Sequence, residues 1–156
     1  ADEVIIMTYE WGYLRGAPMA VAPLDKVQQV IAYAVTAIPP EKILMGIPNY
    51  GYDWTLPFVK GTTATVLTNE GAVQLAAQVG AEIKFDPVAP SPYFHYYDRE
   101  GHQHEVWFED ARSIYAKLQL VKRYQLGGIS YWTVNSPFTQ NWVVLENLFQ
   151  PRKVLP

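Results

Sequence analysis

The sequence contains no cysteine, and this absence excludes disulfide bonds and thiolate metal sites. No apolar run approaches the ~18 residues of a membrane-spanning helix, so no membrane association is predicted. The N-terminus, from Ala1 to Val4, leads directly into a predicted strand, and we expect no signal peptide in this chain.

Basic residues are also scarce. The 156 residues include 12 Lys and Arg against 15 Asp and Glu, which gives a formal net charge of -3. No basic cluster offsets this balance, so the sequence predicts no nucleic-acid partner. Aromatic residues, by contrast, make up 14% of the chain, and the hydrophobic fraction of 49% is sufficient for the core of one ordinary domain.

Three apolar runs that end in aromatic residues are the most informative pattern. They cover residues 4–11, 43–54 and 127–132. A continuous apolar run is typical of a strand that is covered on both faces, as in a parallel sheet. Tyr or Trp at the carboxyl end of such a strand lies where α/β proteins place their sites, and the ring of either residue suits a sugar. The runs therefore predict an α/β architecture and a carbohydrate ligand.

Apolar periodicity predicts the elements around these runs. Strands are expected over 4–9, 42–48 and 127–132, and helices near 24–37, 110–124 and 139–148. A helix between two apolar strands indicates a crossover between parallel strands. Residues 55–107 break the alternation of strands and helices, because they are predicted to form a short strand, an Ala-rich helix and a hairpin. We therefore predict a partial α/β unit over 1–54 and 108–156 with an α+β insertion over 55–107. A small three-layer α/β domain fits the same pattern.

Two carboxylates follow predicted strands. Glu10 and Asp53 both lie beside aromatic residues. Glu10 is the stronger catalytic candidate, because the neighbouring Tyr9 and Trp11 would partly desolvate its carboxylate. A solvated or capping carboxylate is the alternative role for each of them.

The other polar motifs predict structure rather than chemistry. Glu109 and Asp110 are expected to begin a helix, where negative charge is favourable. His102 and His104 share one face of a predicted strand, but no third ligand is in view, so no metal site is predicted. The sequence lacks a phosphate-binding glycine loop, a Gly-x-Ser-x-Gly elbow and a His-Glu-x-x-His motif, and we expect no cofactor.

The three runs resemble, in order, three strands of glycoside hydrolase family 18. Met7–Glu10, Gly46–Gly51 with Trp54, and Gly127–Trp132 are similar to the sixth, seventh and eighth strands of its (β/α)8 barrel. Family members often carry a small α+β insertion after strand seven, where residues 55–107 fall. Residues 54–58 and 106–113 look most similar to the spore-germination branch, the cortical fragment-lytic N-acetylglucosaminidases. The resemblance implies an α/β fold that is the C-terminal portion of a TIM barrel, with about three βα units.

The resemblance also implies the chemistry. Family 18 enzymes hydrolyse N-acetylglucosamine-containing glycans with assistance from the substrate's own N-acetyl group. Their general acid is the last residue of an Asp-x-x-Asp-x-Asp-x-Glu motif on strand four, and no spacing of Asp in this sequence reproduces that motif. The chain is thus expected to lack the acid, to be inactive alone and to need the remainder of the barrel upstream. A secreted protein of the cell wall or spore is implied as well.

Several residues match positions of the family motifs. Tyr9 matches the Tyr that hydrogen-bonds the reacting N-acetyl group, and Glu10 stands where most chitinases have Asp. Trp132 matches the Trp beneath the sugar at the cleavage site, with barrel packing as its alternative role. The residues expected to line neighbouring subsites are Trp11, Tyr50 and Trp54.

Two functions other than hydrolysis remain open. A non-catalytic glycan-binding module would use the same aromatic residues, and a small structural α/β domain would use them only as core. A partial barrel would leave strand edges at residues 4–9 and 127–132 unpaired. Such edges pair readily with other chains, so a homodimer or covered edges are expected.

Overall fold

The computed structural model describes residues 1–151. Their strands are β1 (Val4–Ile6), β2 (Ile43–Pro48), β3 (Gly51–Leu56), β4 (Thr65–Leu67), β5 (Lys84–Asp86), β6 (Ser91–Tyr97), β7 (Gln103–Trp107) and β8 (Gly128–Trp132). The α-helices are α1 (Leu24–Ala34), α2 (Asn69–Val79), α3 (Ala111–Tyr124) and α4 (Thr139–Leu148), and a 3-10 helix, Pro40–Lys42, precedes β2. Within residues 1–151, no helix combines the length and the apolar character needed to cross a membrane.

The first sheet is parallel and has the order β1-β2-β8. Val4 pairs with Ile43, and Leu44 pairs with Gly128, so β2 is the central strand. This arrangement confirms the predicted crossover through α1. The buried side chains of β2 pack in one apolar core with residues of the two helices that precede and follow it, namely Val27 and Ile31 of α1 and Ile114 and Leu118 of α3.

The second sheet is antiparallel and has the order β4-β3-β7-β6-β5. The predicted hairpin is present as β6 and β7, with Tyr97 opposite Gln103. One face of this sheet packs Phe94 and Val106 against Ala72 of α2. The other face carries Tyr52, Trp54 and Trp107 against the loop residues Ala20 and Val21. The α+β character expected for this segment is therefore observed.

The second sheet begins at an earlier residue than predicted. β3 begins at Gly51 and pairs with β4 and β7, so residues 51–54, which were placed in the partial α/β unit, belong to the second sheet. The backbone of β3 lies very close to the residues after β7 here. A Cβ at Gly51 would be only 2.5 Å from the Trp107 carbonyl oxygen, so this position requires glycine. The first strand and the first helix also end sooner than residues 9 and 37. The division of the chain into two folding units stays a prediction.

The start of α3 follows the prediction at one residue and departs from it at the other. Asp110 caps the helix, accepting hydrogen bonds from the backbone N–H of Arg112 (2.9 Å) and Ser113 (3.1 Å). Glu109 instead is 1% exposed and pairs with Lys117, whose Nζ lies 2.8 Å from Oε2. Burial raises the pKa of Glu109 against the opposing effect of Lys117. The helix-start role predicted for Glu109 is therefore wrong, because its side chain is a buried ion-pair partner.

Buried amides connect the two sheets. The Asn49 side chain, between β2 and β3, donates to the carbonyl oxygens of Thr133 (2.9 Å) and Ser136 (2.8 Å), which fixes the loop after β8. Asn69, at the start of α2, donates to Asn49 Oδ1 at 3.4 Å and accepts from the Glu109 N–H at 2.9 Å. These bonds hold the ends of β2 and β8 in a fixed relation to α2 and α3.

Candidate active site

A cleft of about 470 Å³ lies at the carboxyl end of the parallel sheet. Residues that follow β1 and β2 and the last residue of β8 meet there. α/β folds place their sites at this end of a parallel sheet. The lining residues are Met7, Tyr9, Glu10, Tyr50, Tyr52, Val66, Trp132, Thr133 and Ser136.

Two contacts position Tyr9 beside the cleft. The buried Thr8 hydroxyl donates to the carbonyl oxygen of Gly46 at 2.7 Å, which ties the segment after β1 to the central strand. A Cβ at Gly46 would lie 2.8 Å from Cε1 of Tyr9, so glycine leaves the space that the Tyr9 ring occupies. Burial, and then the charge of Glu10, raise the pKa of the Tyr9 phenol. Tyr9 therefore offers a neutral hydroxyl at the cleft.

Glu10 is held by two phenols. The hydroxyls of Tyr50 and Tyr52 both donate to Glu10 Oε1, the latter at 2.9 Å. Burial and these hydrogen bonds raise the pKa of both phenols, so they remain donors at neutral pH. Both phenols donate to Oε1. The other carboxylate oxygen, Oε2, accepts from neither of them and can accept a hydrogen bond from a ligand.

The backbone at Glu10 is unusual. Its φ of 69° lies in the left-handed region, which a non-glycine residue rarely adopts. Such a conformation costs on the order of 1–3 kcal/mol and persists where the surroundings enforce it. The contacts that surround it are the hydrogen bonds of its carboxylate with Tyr50 and Tyr52 and the bond from the Trp11 N–H to the Val21 carbonyl oxygen. The strained residue is therefore the one that projects a charge into the cleft.

Trp132 presents an open apolar surface. It ends β8, lines the cleft and is 59% exposed. The peptide bond that joins it to Thr133 is cis. The neighbouring Met7 is also exposed. The predicted residues Tyr9, Glu10, Tyr50 and Trp132 are thus brought together at one cleft.

Two predicted subsite residues lie elsewhere. Trp54 is 2% exposed, and its indole N–H donates to the Gly16 carbonyl oxygen at 2.8 Å. Trp11 is half-buried against the first apolar core and does not line the cleft. The structure therefore places neither Trp54 nor Trp11 at this cleft, and their subsite roles stay predictions. The resemblance to the family suggested the subsite roles, whereas in this structure both rings pack against apolar cores.

Asp53 also lies outside the cleft. It faces the α2 side of the second sheet and is 8% exposed. Its carboxylate oxygens bond the Tyr96 hydroxyl at 2.6 Å and the His104 ring at 2.8 Å. Neither a catalytic role nor a solvated loop role fits Asp53.

Tyr52 is a cleft residue that the sequence analysis missed. Tyr50 and Tyr52 are two positions apart along an extended segment, so their side chains lie on the same side of it. Glu10 is within reach of both hydroxyls for this reason. The two-residue spacing of Tyr50 and Tyr52 is the sequence feature that indicates Tyr52 as a cleft residue.

The chain resembles known proteins over most of its length. The profile described as "Glycosyl hydrolases family 18" matches residues 1–136. The cortical fragment-lytic enzyme of Bacillus subtilis is 50% identical over 149 residues, which cover 95% of this chain and 35% of that enzyme. The chain therefore spans about a third of the length of this curated relative.

Solved structures show the same similarity. The crystal structure of the Bacillus cereus spore cortex-lytic enzyme SleL matches with a TM-score of 0.93 at 48% identity, covering 96% of this chain and 35% of that one. A chitinase from Chromobacterium violaceum matches with a TM-score of 0.88 at 34% identity, covering 97% of this chain and 47% of that one. These matches place the described α/β arrangement among chitinase-like folds.

The phenols bound to Glu10 predict a loss of stability at high pH. An unfolded Tyr ionises near pH 10, whereas the pKa values of Tyr50 and Tyr52 are higher in the folded chain. Their contribution is complete below about pH 10 and is lost as the pH rises above it, because only the unfolded phenols then ionise. We expect the free energy of unfolding to fall less steeply above about pH 10 in a Tyr50→Phe/Tyr52→Phe variant. Urea denaturation at a series of pH values measures this slope. Tyr33→Phe, at an exposed Tyr, should keep the original slope, and equal slopes for all three proteins would contradict the prediction.

Proposed function

The chain belongs to glycoside hydrolase family 18, and from this we propose that it is the C-terminal portion of a (β/α)8 catalytic domain that cleaves N-acetylglucosamine-containing glycans. Spore cortex peptidoglycan is the proposed substrate, with chitin-like glycans as related ones. The observation that carries the proposal is the meeting of Tyr9, Glu10 and Trp132 at the carboxyl end of three parallel strands.

The exposure of the parallel sheet supports the partial barrel. Strands of parallel sheets are normally covered on both faces and paired on both sides. Here β2 is buried, but Ile5 of β1 is exposed and every residue of β8 is at least partly exposed. β1 and β8 are also the edges of their sheet. Further βα units from the remainder of a barrel would cover these surfaces.

The proposed mechanism is retaining and substrate-assisted. The N-acetyl oxygen of the substrate attacks the anomeric carbon while the glycosidic bond breaks and the leaving oxygen takes a proton from the general acid. Water then opens the cyclic intermediate from the face that the leaving group occupied, and returns a proton to the acid. The Tyr9 hydroxyl is the proposed donor to the N-acetyl group, where a placed donor stabilises developing charge. Glu10 Oε2 accepts a hydrogen bond from the sugar, and Trp132 supplies the apolar surface beneath it. The general acid comes from the upstream part of the barrel.

An isolated chain without a general acid should not turn over substrate. We expect no release of reducing ends from chitooligosaccharides or cortex fragments by this chain, and release by the protein that also contains the upstream barrel. In that longer protein, Tyr9→Phe should lower kcat by about 100-fold, since one donor to a developing charge contributes about 10²–10³. The exposed Tyr33→Phe should leave kcat unchanged. Turnover by the chain alone would contradict its proposed inactivity.

A non-catalytic glycan-binding module is the second candidate. Its support is the aromatic cleft in a chain whose sequence lacks the acid motif. The upstream sequence separates the two functions. An intact Asp-x-x-Asp-x-Asp-x-Glu motif supports the hydrolase, and a replaced final Glu supports the binder.

Glycan binding can be tested in the chain itself. We expect Trp132→Ala to weaken the binding of a chitooligosaccharide by about tenfold or more, because truncating a central aromatic anchor costs at least about 1–2 kcal/mol. Isothermal titration measures the affinity. Trp142→Ala, on α4, is the matched control and should bind like the wild type. Absence of affinity in a folded wild-type chain would favour a purely structural domain instead.

The unpaired edges of β1 and β8 lead to a proposal about assembly. Exposed strand edges pair with other chains unless they are covered. We expect the isolated chain to form dimers or larger species in sedimentation experiments, and the protein with the upstream barrel to be monomeric. A monomeric isolated chain with both edges accessible to hydrogen exchange would contradict this. We also propose a secreted location at the cell wall or spore, by analogy with the family resemblance alone.

A further inference from the structure

Helix α4 begins without a cap from its own N-cap residue. The helix starts at Thr139, and the side chain of Phe138, which precedes it, makes no hydrogen bond to the first turn. The ring of Phe138 is 3% exposed and belongs to the first apolar core. The first backbone N–H groups of a helix have no partner within that helix. The acceptor for the start of α4 must therefore come from another part of the chain.

Glu70 of α2 supplies this acceptor. Its Oε1 accepts hydrogen bonds from the Thr139 N–H at 3.0 Å and from the Thr139 hydroxyl at 2.9 Å. These two bonds lower the pKa of Glu70, so its carboxylate is charged at neutral pH. A negative charge at the N-terminus of a helix is favourable. Glu70 thus gives α4 the cap that Phe138 cannot give.

The starts of three helices are bonded to one another in a ring. Oε1 of Gln140, in the first turn of α4, accepts from the N–H of Ala111, the first residue of α3, at 2.9 Å. The N–H of Glu109, just before α3, donates to Oδ1 of Asn69 at the start of α2. Glu70, which follows Asn69, completes the ring to α4. Each helix start is therefore held by a side chain from another.

Residues 133–138 form the wall of the cleft beside Trp132. They join the end of β8 to the start of α4, and Thr133 and Ser136 among them line the cleft. The side chain of Asn49 donates to the carbonyl oxygens of both residues. The segment is thus held at its beginning and middle by Asn49, and at its end by the cap of α4.

Bond lengths indicate which contact ties α2 to this segment most firmly. Nδ2 of Asn69 lies 3.4 Å from Oδ1 of Asn49, which is long for a hydrogen bond. The bonds from Thr139 to Glu70 are 3.0 and 2.9 Å, and a charged acceptor strengthens them. Of these two connections, the one through Glu70 is therefore the stronger.

From these contacts we propose that Glu70 is a positioning residue for the cleft. Glu70 does not line the cleft itself. By capping α4 in place of Phe138, it holds residues 133–138 and thereby sets the position of Trp132. Because α2 belongs to the α+β segment, that segment helps to shape the cleft through this one carboxylate. The effect on glycan affinity rests on the proposed function, whereas the effect on the position of Trp132 does not.

A Glu70→Ala variant of the full chain tests the proposal with two measurements. The first is the indole N–H resonance of Trp132 in ¹H–¹⁵N NMR spectra without ligand, assigned with Trp132→Phe. We expect this resonance to shift or broaden, because the segment after Trp132 loses its anchor. The second is isothermal titration with a chitooligosaccharide, in which the affinity should fall about 2–30-fold, the range for residues that act on a site without contacting it.

Two further variants separate positioning from a general effect of the mutation. Glu70→Gln keeps an acceptor oxygen and should restore the Trp132 resonance and most of the affinity. Glu82→Ala removes an exposed carboxylate shortly after α2 and should behave like the wild type in both measurements. Glu70 is itself partly exposed, so its variants should fold.

The proposal is overturned if the Trp132 resonance of Glu70→Ala equals that of the wild type. A lower melting temperature with an unchanged resonance would make Glu70 a stabilising cap only. Equal changes in Glu70→Ala and Glu70→Gln would also overturn it, because the acceptor oxygen would then have no role. If the folded wild type binds no chitooligosaccharide, the proposed function fails, but a changed Trp132 resonance in Glu70→Ala would still support the positioning role.

Discussion

The hydrogen bonds of the Asn49 side chain hold the described structure in one arrangement. A buried amide can donate twice and accept, and Asn49 does so toward Thr133, Ser136 and Asn69. A buried carbonyl that loses its donor costs about 1–3 kcal/mol, so an apolar side chain at this position would leave several such costs together. The chain of bonds continues from Asn69 to the backbone of Glu109, whose carboxylate is paired with Lys117. These polar groups therefore help to set the relation between the two sheets, and Tyr9, which packs against the apolar cores of both, adds an apolar contact between them.

The shape of the cleft depends on the hydrogen bonds of Asn49. β2 and β8 must end at the same level for the residues after them to share one surface, and the Asn49 N–H donates to the Trp132 carbonyl oxygen at 2.7 Å to set that level. On the other side, the start of β3 follows directly and carries Tyr50 and Tyr52 toward Glu10. The carboxylate of Glu10, whose backbone is strained, accepts hydrogen bonds from both phenols. The side chains that line the cleft are thus held in place by contacts within the chain itself.

Apolar periodicity predicted the parallel strands, the crossover helix and the hairpin, because each of these depends on local residue pattern and burial. Resemblance to family motifs identified Tyr9, Glu10 and Trp132, and the structure brings them to one cleft. Long-range packing could not be predicted in the same way. Trp54 is next to the cleft in sequence, but its indole N–H finds a partner in Gly16, and its ring fills the core. The pairing of Glu109 with Lys117 likewise required knowledge of which face of α3 is buried.

The position of the second sheet within the chain has a consequence for the order of folding. Asn49 and Thr133 are 84 positions apart, and β3 to α3 are formed by the residues between them. The entropy of closing so long a loop must be overcome before β8 can pair with β2. Within the antiparallel sheet, β5 pairs with β6 and β6 with β7 over short connections, and the pairing of β3 with β7 then shortens the effective loop between β2 and β8. We therefore expect the pairing of β8 with β2, which brings Trp132 to the same cleft as Tyr9, to follow the formation of the antiparallel sheet.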